Sequence, residues 1–246
     1  MNIFSVLLYQ PLYNVLVILF NAFPWGGVGL AVILITVLIK IALLPFNYKT
    51  LKSQKEMQEI QPKINEIRQT YKDDQAKMAQ ELMAVYKTHK VNPFASCLPM
   101  VVQLIVLLVF YQVLRAGIQT IDQNMLYAFV HNPGSLSHMF LGIDLSRVSV
   151  TLAAVAAVAQ FFQAKQMITS RPPAAVREKS ETLDEDMMAV TNKTMVYMLP
   201  VVIFIVGATS VPGGLTLYML VSTVMTYIMY AVFLGKKKEA PSNLQT

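Results

Sequence analysis

Residues 28–46 are apolar except for Thr36 and one full charge, Lys40. A charge within a hydrocarbon-length helix costs roughly 2.5–3.5 kcal/mol on insertion scales, so such a residue faces a partner or a wet cavity. Other polar side chains interrupt equally apolar runs: Gln103 in 94–114, Gln160 near the end of 148–162 with Gln163 just beyond it, and Ser222, Thr223 and Thr226 in 215–234. At a helical rise of 1.5 Å per residue, Lys40 lies roughly 10 Å from Asn47 and Gln103 roughly 15 Å from Asn92. By the same measure Ser222, Thr223 and Thr226 lie roughly 13–20 Å from Gly235. Thr36 is one turn from Lys40, and Ser222 shares a face with Thr226. These spacings predict one hydrated pocket in the inner half of a membrane, lined by Lys40, Thr36, Gln103, Ser222 and Thr226, with Thr223 at the same depth. A structural reading of the same residues stands beside it. A lysine stem can snorkel to the headgroups, Ser and Thr can bond their own helix, and Gln103 can join two helices.

No catalytic chemistry is legible. Asp122, Asp144 and the other carboxylates fall in loops, as do His89, His131 and His138, and no HExxH or GxxxxGK[ST] motif is present. Cys97 is the only cysteine, so no internal disulfide or cysteine-based zinc site is expected and a small buried hydrophobe is the plain reading. Neither a metal nor a cofactor is expected.

The elements that must position the pocket follow from composition. The 246 residues are 55% hydrophobic and 14% charged, against about 25% charged in soluble domains. This predicts an all-α polytopic membrane protein, because irregular backbone is not tolerated against lipid. Five apolar runs give spans at 27–48, 92–116, 148–165, 194–211 and 214–235. Basic residues cluster at 49–90, at 165–193 and in Lys236, Lys237 and Lys238, whereas the opposite side holds only Arg115 and Arg147. The N-terminus is therefore expected outside and the C-terminus in the cytoplasm. The first residues lack a basic n-region and a cleavage site, so the N-terminus is expected to be retained.

Between the spans, 49–91 shows apolar residues at helical steps, namely Met57, Ile60, Ile64, Ile67 and Tyr71, then Met78, Leu82 and Val85. Lys72-Asp73-Asp74 separates them, and Asp73 or Asp74 can cap the second helix. This is an amphipathic helical hairpin, either closed on itself or offering a docking surface. Pro62 interrupts its first arm or starts a helix after Gln61. Residues 1–26 read as a helix on the outer surface, bent at Pro11, with Gln10, Asn14 and Asn21 on one face; a sixth span is the alternative. Residues 117–147 read as an external loop, 166–193 as a flexible cytoplasmic loop around Pro172-Pro173, and 236–246 as a basic tail.

The motifs LYQPLYN, IQPK, KVNPFASCLPM followed by Gln103, and VPGGLTLY with VST occur in that order. Together they resemble the YidC family of membrane protein insertases, over about residues 8–234 and nearly the whole chain. The resemblance implies a five-helix insertase core with a hydrophilic groove open to cytoplasm and lipid. The family's basic residue in the first span, usually Arg, corresponds to Lys40. Gln103 falls on the polar position of the second span, and Tyr218 falls in the aromatic pair of the last. Two departures stand out. Lys40 is a compact charge rather than a rigid guanidinium fork. Met219 replaces a second tyrosine, which removes a hydroxyl partner for Thr36. The large external domain of many Gram-negative members has no counterpart, so a minimal form is expected.

The resemblance further implies insertion and chaperoning of nascent membrane proteins in a bacterial inner membrane, with or without the Sec translocon. Lys40 would attract acidic residues of the client, and Met100, Leu104 and Leu199 would offer its helix a slide into lipid. Implied partners are nascent membrane proteins, membrane lipids, the ribosome and Sec. The rival class is a small-molecule or anion transporter or channel, since a lysine in a wet cavity also suits an anionic solute. Paired repeats and broken helices, the usual transporter signature, are not evident.

Overall fold

The computed structural model describes residues 5–92, 98–119, 121–169 and 183–234. Cys97, the Pro172-Pro173 stretch and the basic tail lie outside them. The chain is mostly helical. A π-helical turn, Ser5–Tyr9, leads into α1 (Gln10–Ala22), and a 3-10 turn, Pro24–Gly26, leads into α2 (Gly27–Ala42). Then come α3 (Leu44–Glu59), α4 (Gln61–Thr70), α5 (Gln75–Thr88), α6 (Leu98–Gln119), α7 (Val150–Thr169), α8 (Leu183–Thr209) and α9 (Gly213–Leu234). Pro24–Ala42 and Gly213–Phe233 are long and apolar enough to cross a membrane. Helix α9 is central, packing against α2, α3, α6 and α7, while α8 packs on α7.

The distribution of side chains is inverted relative to a water-soluble protein. Asn14, Thr36, Thr216, Ser222 and Thr223 are buried, while Leu104, Leu108, Val158, Phe162, Val202, Phe204, Ile228 and others are exposed on the helix faces. Large exposed apolar areas mark an interaction surface, and over several helices that surface suits a bilayer. Helix α1 repeats the pattern. Its Ile18 points outward, whereas Tyr13, Asn14, Leu16 and Val17 are buried.

The polar face of α1 is bonded to the segment between α6 and α7. Asn14 Nδ2 donates to the Met125 carbonyl at 2.8 Å, and Asn14 Oδ1 accepts from the Tyr127 amide at 2.7 Å. Gln10 reaches the same Met125 carbonyl, Asn21 reaches the His131 carbonyl, and the Tyr13 hydroxyl accepts from the Asp122 amide. Helix α1 is thus a strap that orders the segment between α6 and α7. That segment carries a 3-10 turn, Gln123–Met125, and a small hairpin, β1 (Met139–Phe140) antiparallel to β2 (Ile143–Asp144). Val130, Leu136 and Leu145 from it are buried in the same cluster as Val28, Val32, Ile35, Val109, Phe110, Val113, Leu114 and Leu215. This cluster closes one end of the bundle.

At the other end α2 stops at Leu43, two residues before Pro45, whose ring supplies no amide to continue the ladder. Helix α3 then runs on and is held to α9 by Leu51, Met229 and Tyr230 and by the Tyr48–Phe233 ring contact. A second break at Ile60 precedes Pro62 in the first turn of α4, and Asp74 caps α5 by accepting from the Lys77 amide at 2.9 Å. Ile60, Ile64 and Val91 close on Met57, Leu82, Val85 and Tyr86, so the apolar stripes of the hairpin meet each other.

The expectation of a flexible loop over 166–193 needs correction at both ends. Helix α7 runs to Thr169 and α8 begins at Leu183. The early start accords with residue type, since Asp and Glu are favoured in first turns and Met and Ala within helices, and the sequence from 184 reads Asp, Glu, Asp, Met, Met, Ala.

Asn14 is 1% exposed, and Asn14→Leu would leave the Tyr127 amide unpaired and the Met125 carbonyl with only its longer bond from Gln10. The expected loss is about 1–3 kcal/mol, read as a lower thermal midpoint in detergent by Trp25 fluorescence. Asn21→Ala, whose bond is exposed, is expected to cost less than about 1 kcal/mol.

Candidate functional site: a polar stripe beside Lys40

Helix α9 places Tyr218, Ser222 and Thr226 at successive steps of four, a stripe about 12 Å long on one face. Each neighbouring helix brings a polar side chain to it. From α2, Lys40 Nζ donates to Thr226 Oγ1 at 3.1 Å. The Thr226 hydroxyl in turn donates to the Ser222 carbonyl at 2.8 Å, so its lone pair is free to accept from the ammonium. From α6, Gln103 Nε2 donates to the Tyr218 hydroxyl at 2.8 Å, and Gln103 Oε1 accepts from Ser222 Oγ at 3.4 Å. Lys40, Thr226, Ser222, Gln103 and Tyr218 therefore form one connected polar line across three helices.

Two expected members stand elsewhere. Thr36 is 1% exposed and donates to the Val32 carbonyl of its own helix at 2.6 Å. Its side chain is enclosed by its neighbours, unlike that of Lys40 one turn on. Thr223 turns the other way, donating to Gln160 Oε1 on α7 at 3.1 Å, and so joins α7 to α9. Of the proposed slide, Leu104 on α6 is 53% exposed and Leu199 on α8 is 41% exposed; the side chain of Met100 lies outside the described residues.

The two ends of the stripe differ. At the Tyr218 end, the ring of Phe110 stacks on Tyr218 with centroids 4.6 Å apart, and both are buried. Beyond them lies the closed apolar cluster. At the Lys40 end, the neighbours Leu38, Ile41 and Ala42 are exposed and Lys40 itself is half-buried. Among the described residues the Lys40 ammonium meets the Thr226 hydroxyl and no carboxylate. A cation without a carboxylate partner attracts negative charge.

Phe110 is the site residue that sequence reasoning missed. Its signal was present: it lies seven residues from Gln103, on the same face of α6. Tyr218 had a similar signal, four residues before Ser222, although it entered by family resemblance alone.

The family described as 60Kd inner membrane protein matches residues 19–240 of the chain. The chain belongs to this family, the YidC proteins. The membrane protein insertase YidC of Fusobacterium nucleatum is 32% identical over 212 residues, covering 86% of this chain and 88% of that protein. Membrane protein insertase YidC 1 of Halalkalibacterium halodurans is 30% identical over 238 residues, covering 94% and 80%. The YidC of Citrifermentans bemidjiense is 34% identical over 204 residues, which are 82% of this chain and 32% of that longer protein. The matched region includes α2, α6 and α9, and hence every member of the polar line. YidC membership also accounts for the inverted distribution of side chains, since these are inner membrane proteins.

With Cys97 replaced by Ser, single cysteines at 40 and 103 are expected to react with a membrane-impermeant thiol reagent. A cysteine at 36 is expected to stay unreactive, its side chain being enclosed. Mass spectrometry of the labelled protein checks both.

Proposed function

We infer that the protein is a membrane protein insertase and chaperone whose working surface is the polar line from Lys40 to Tyr218. The observation that carries the mechanism is the Lys40 ammonium, half-buried on the Thr226 hydroxyl without a carboxylate partner among the described residues. A client with a short polar tail must bring unsatisfied groups into hydrocarbon at several kcal/mol apiece. The stripe offers hydrogen bonds over the first part of that path and leaves only the packed end to cross. Lys40 draws acidic residues of the tail inward. Exposed Leu104 and Leu199 then give the hydrophobic segment a lateral surface leading to lipid. No nucleotide is required, because burial of the client helix is itself favourable.

The topology that goes with this reading has the Lys40 end facing the cytoplasm of a bacterial inner membrane. The N-terminus lies outside, the C-terminus inside, and there are five spans with α1 on the outer surface. It is supported by the basic residues of 49–90 on the Lys40 side. The hairpin of α4 and α5 stands where a nascent chain arrives, which makes the ribosome and Sec candidate partners. Transport of a small solute is the less favoured reading, because the relatives are insertases and one end of the stripe is sealed by packed side chains.

Lys40→Ala is expected to slow insertion of a client with an acidic tail roughly fivefold, the equivalent of about 1 kcal/mol of lost attraction. Lys40→Arg should keep the rate, and a client with a neutral tail should insert equally well into vesicles holding any of the three proteins. Equal rates for the acidic-tailed client in Lys40→Ala would remove the charge from the mechanism.

A further inference from the structure

The hairpin between α6 and α7 carries a residue that its backbone and its exposure both disfavour. Leu141 and Gly142 are the two central residues of a two-residue turn, with φ of 49° and 79°. Positive φ at both positions is the pattern that favours Asn-Gly, and a bulky side chain there is strained. Leu141 is also 86% exposed. Asparagine would suit both the backbone and water better. An apolar side chain held at such a position is explained if its surroundings are apolar.

The hairpin is fixed at the level where the spanning helices begin. Helix N-termini leave amides without intrahelical partners, and here the segment supplies the acceptors. The Val28 amide donates to the Ser137 carbonyl at 2.9 Å, Gly213 to Arg147 at 2.8 Å and Gly214 to Leu145 at 3.0 Å. Phe140 lies over Gly29, where a Cβ would collide with its ring, so the hairpin sits beside the first turn of α2 and not above it. Gly27 has φ of +57°, and a Cβ there would meet the Ser137 and Met139 carbonyls at 2.9 Å, which seals the same contact from the other side. Trp25, 82% exposed, occupies the turn just before α2, and Met139 beside the hairpin tip is also exposed.

The charges of the segment complete the case. Residues 117–149 contain no lysine, and their charged side chains are Asp122, Asp144 and Arg147. Asp144 and Arg147 pair with each other at 3.4 Å. Hydrogen bonds from the Ser146 hydroxyl and amide hold the Asp144 carboxyl below the usual carboxylate range, with Arg147 adding to the effect. Asp122 caps the Asn124 amide. Two carboxylates against one guanidinium leave the segment no net positive charge with which to bind an anionic surface.

We propose that this hairpin is a membrane anchor: Leu141 and Met139, with Trp25 at the same level, dip into the headgroup–acyl boundary of neutral lipid at the closed end of the bundle. The anchor requires that α2 and α9 cross the membrane and does not depend on the insertion mechanism. Its attachment is apolar, so neither salt nor anionic lipid strengthens it.

The test uses the full chain with Cys97→Ser and Leu141→Cys, labelled with an environment-sensitive fluorophore, in phosphatidylcholine vesicles brominated near the top of the acyl chains. The bromolipid is expected to quench the label by about half or more, while aqueous iodide scarcely quenches it. Added salt or phosphatidylglycerol should change neither value. Quenching by iodide alone places the tip in water and overturns the proposal. Protection from both quenchers means that protein covers the tip, and overturns it equally. Met139→Cys supplies the same readings where Leu141→Cys does not fold. In that background Leu141→Asn, which relieves the turn, is expected to cut bromolipid quenching about twofold, and an unchanged value counts against the anchor.

Discussion

A polar group inside hydrocarbon must find its hydrogen-bond partner within the protein, and this constraint organises the whole molecule. It explains why Asn14 and Gln10 serve the backbone of a distant loop, why Thr36 bonds its own helix, and why Thr223 reaches Gln160. It also explains why α9 sits at the centre. Its hydroxyl stripe gives the lysine of α2 and the glutamine of α6 hydrogen-bond partners within the bundle. Without the stripe, Lys40 would have to snorkel away from the bundle.

The same constraint divides the molecule lengthwise. At one end the loop carbonyls of Ser137, Leu145 and Arg147 take up the free amides of α2 and α9, and apolar side chains from five helices and the loop fill the space. At the other end the helices carry polar groups on their facing sides and apolar groups outward. The proposed mechanism grows from this asymmetry: one half is closely packed, and the other lines up hydrogen-bonding groups on three helices.

Much of this was legible in the residues. Lys40, Gln103, Ser222 and Thr226 were picked out by type and depth, and they do converge. The face shared by Gln10, Asn14 and Asn21 was legible too, but not its meaning. Its partners lie more than a hundred positions away, and periodicity carries no information about them. Thr36 was drawn into the pocket because it shares a face with Lys40, whereas a threonine hydroxyl has an equally good acceptor one turn back. The start of α8 was lost in a charged stretch, since Asp184, Glu185 and Asp186 look like a solvated loop until their position in a first turn is known. Phe110 escaped because attention to polar residues leaves aromatic lids unread.

The stack of Phe110 on Tyr218 has a consequence for the energetics of the cell. Two buried rings and a close-packed cluster across the end of the polar line leave ions no continuous polar route along it. In an energised membrane, resistance to proton leakage along this line then rests on side-chain packing alone.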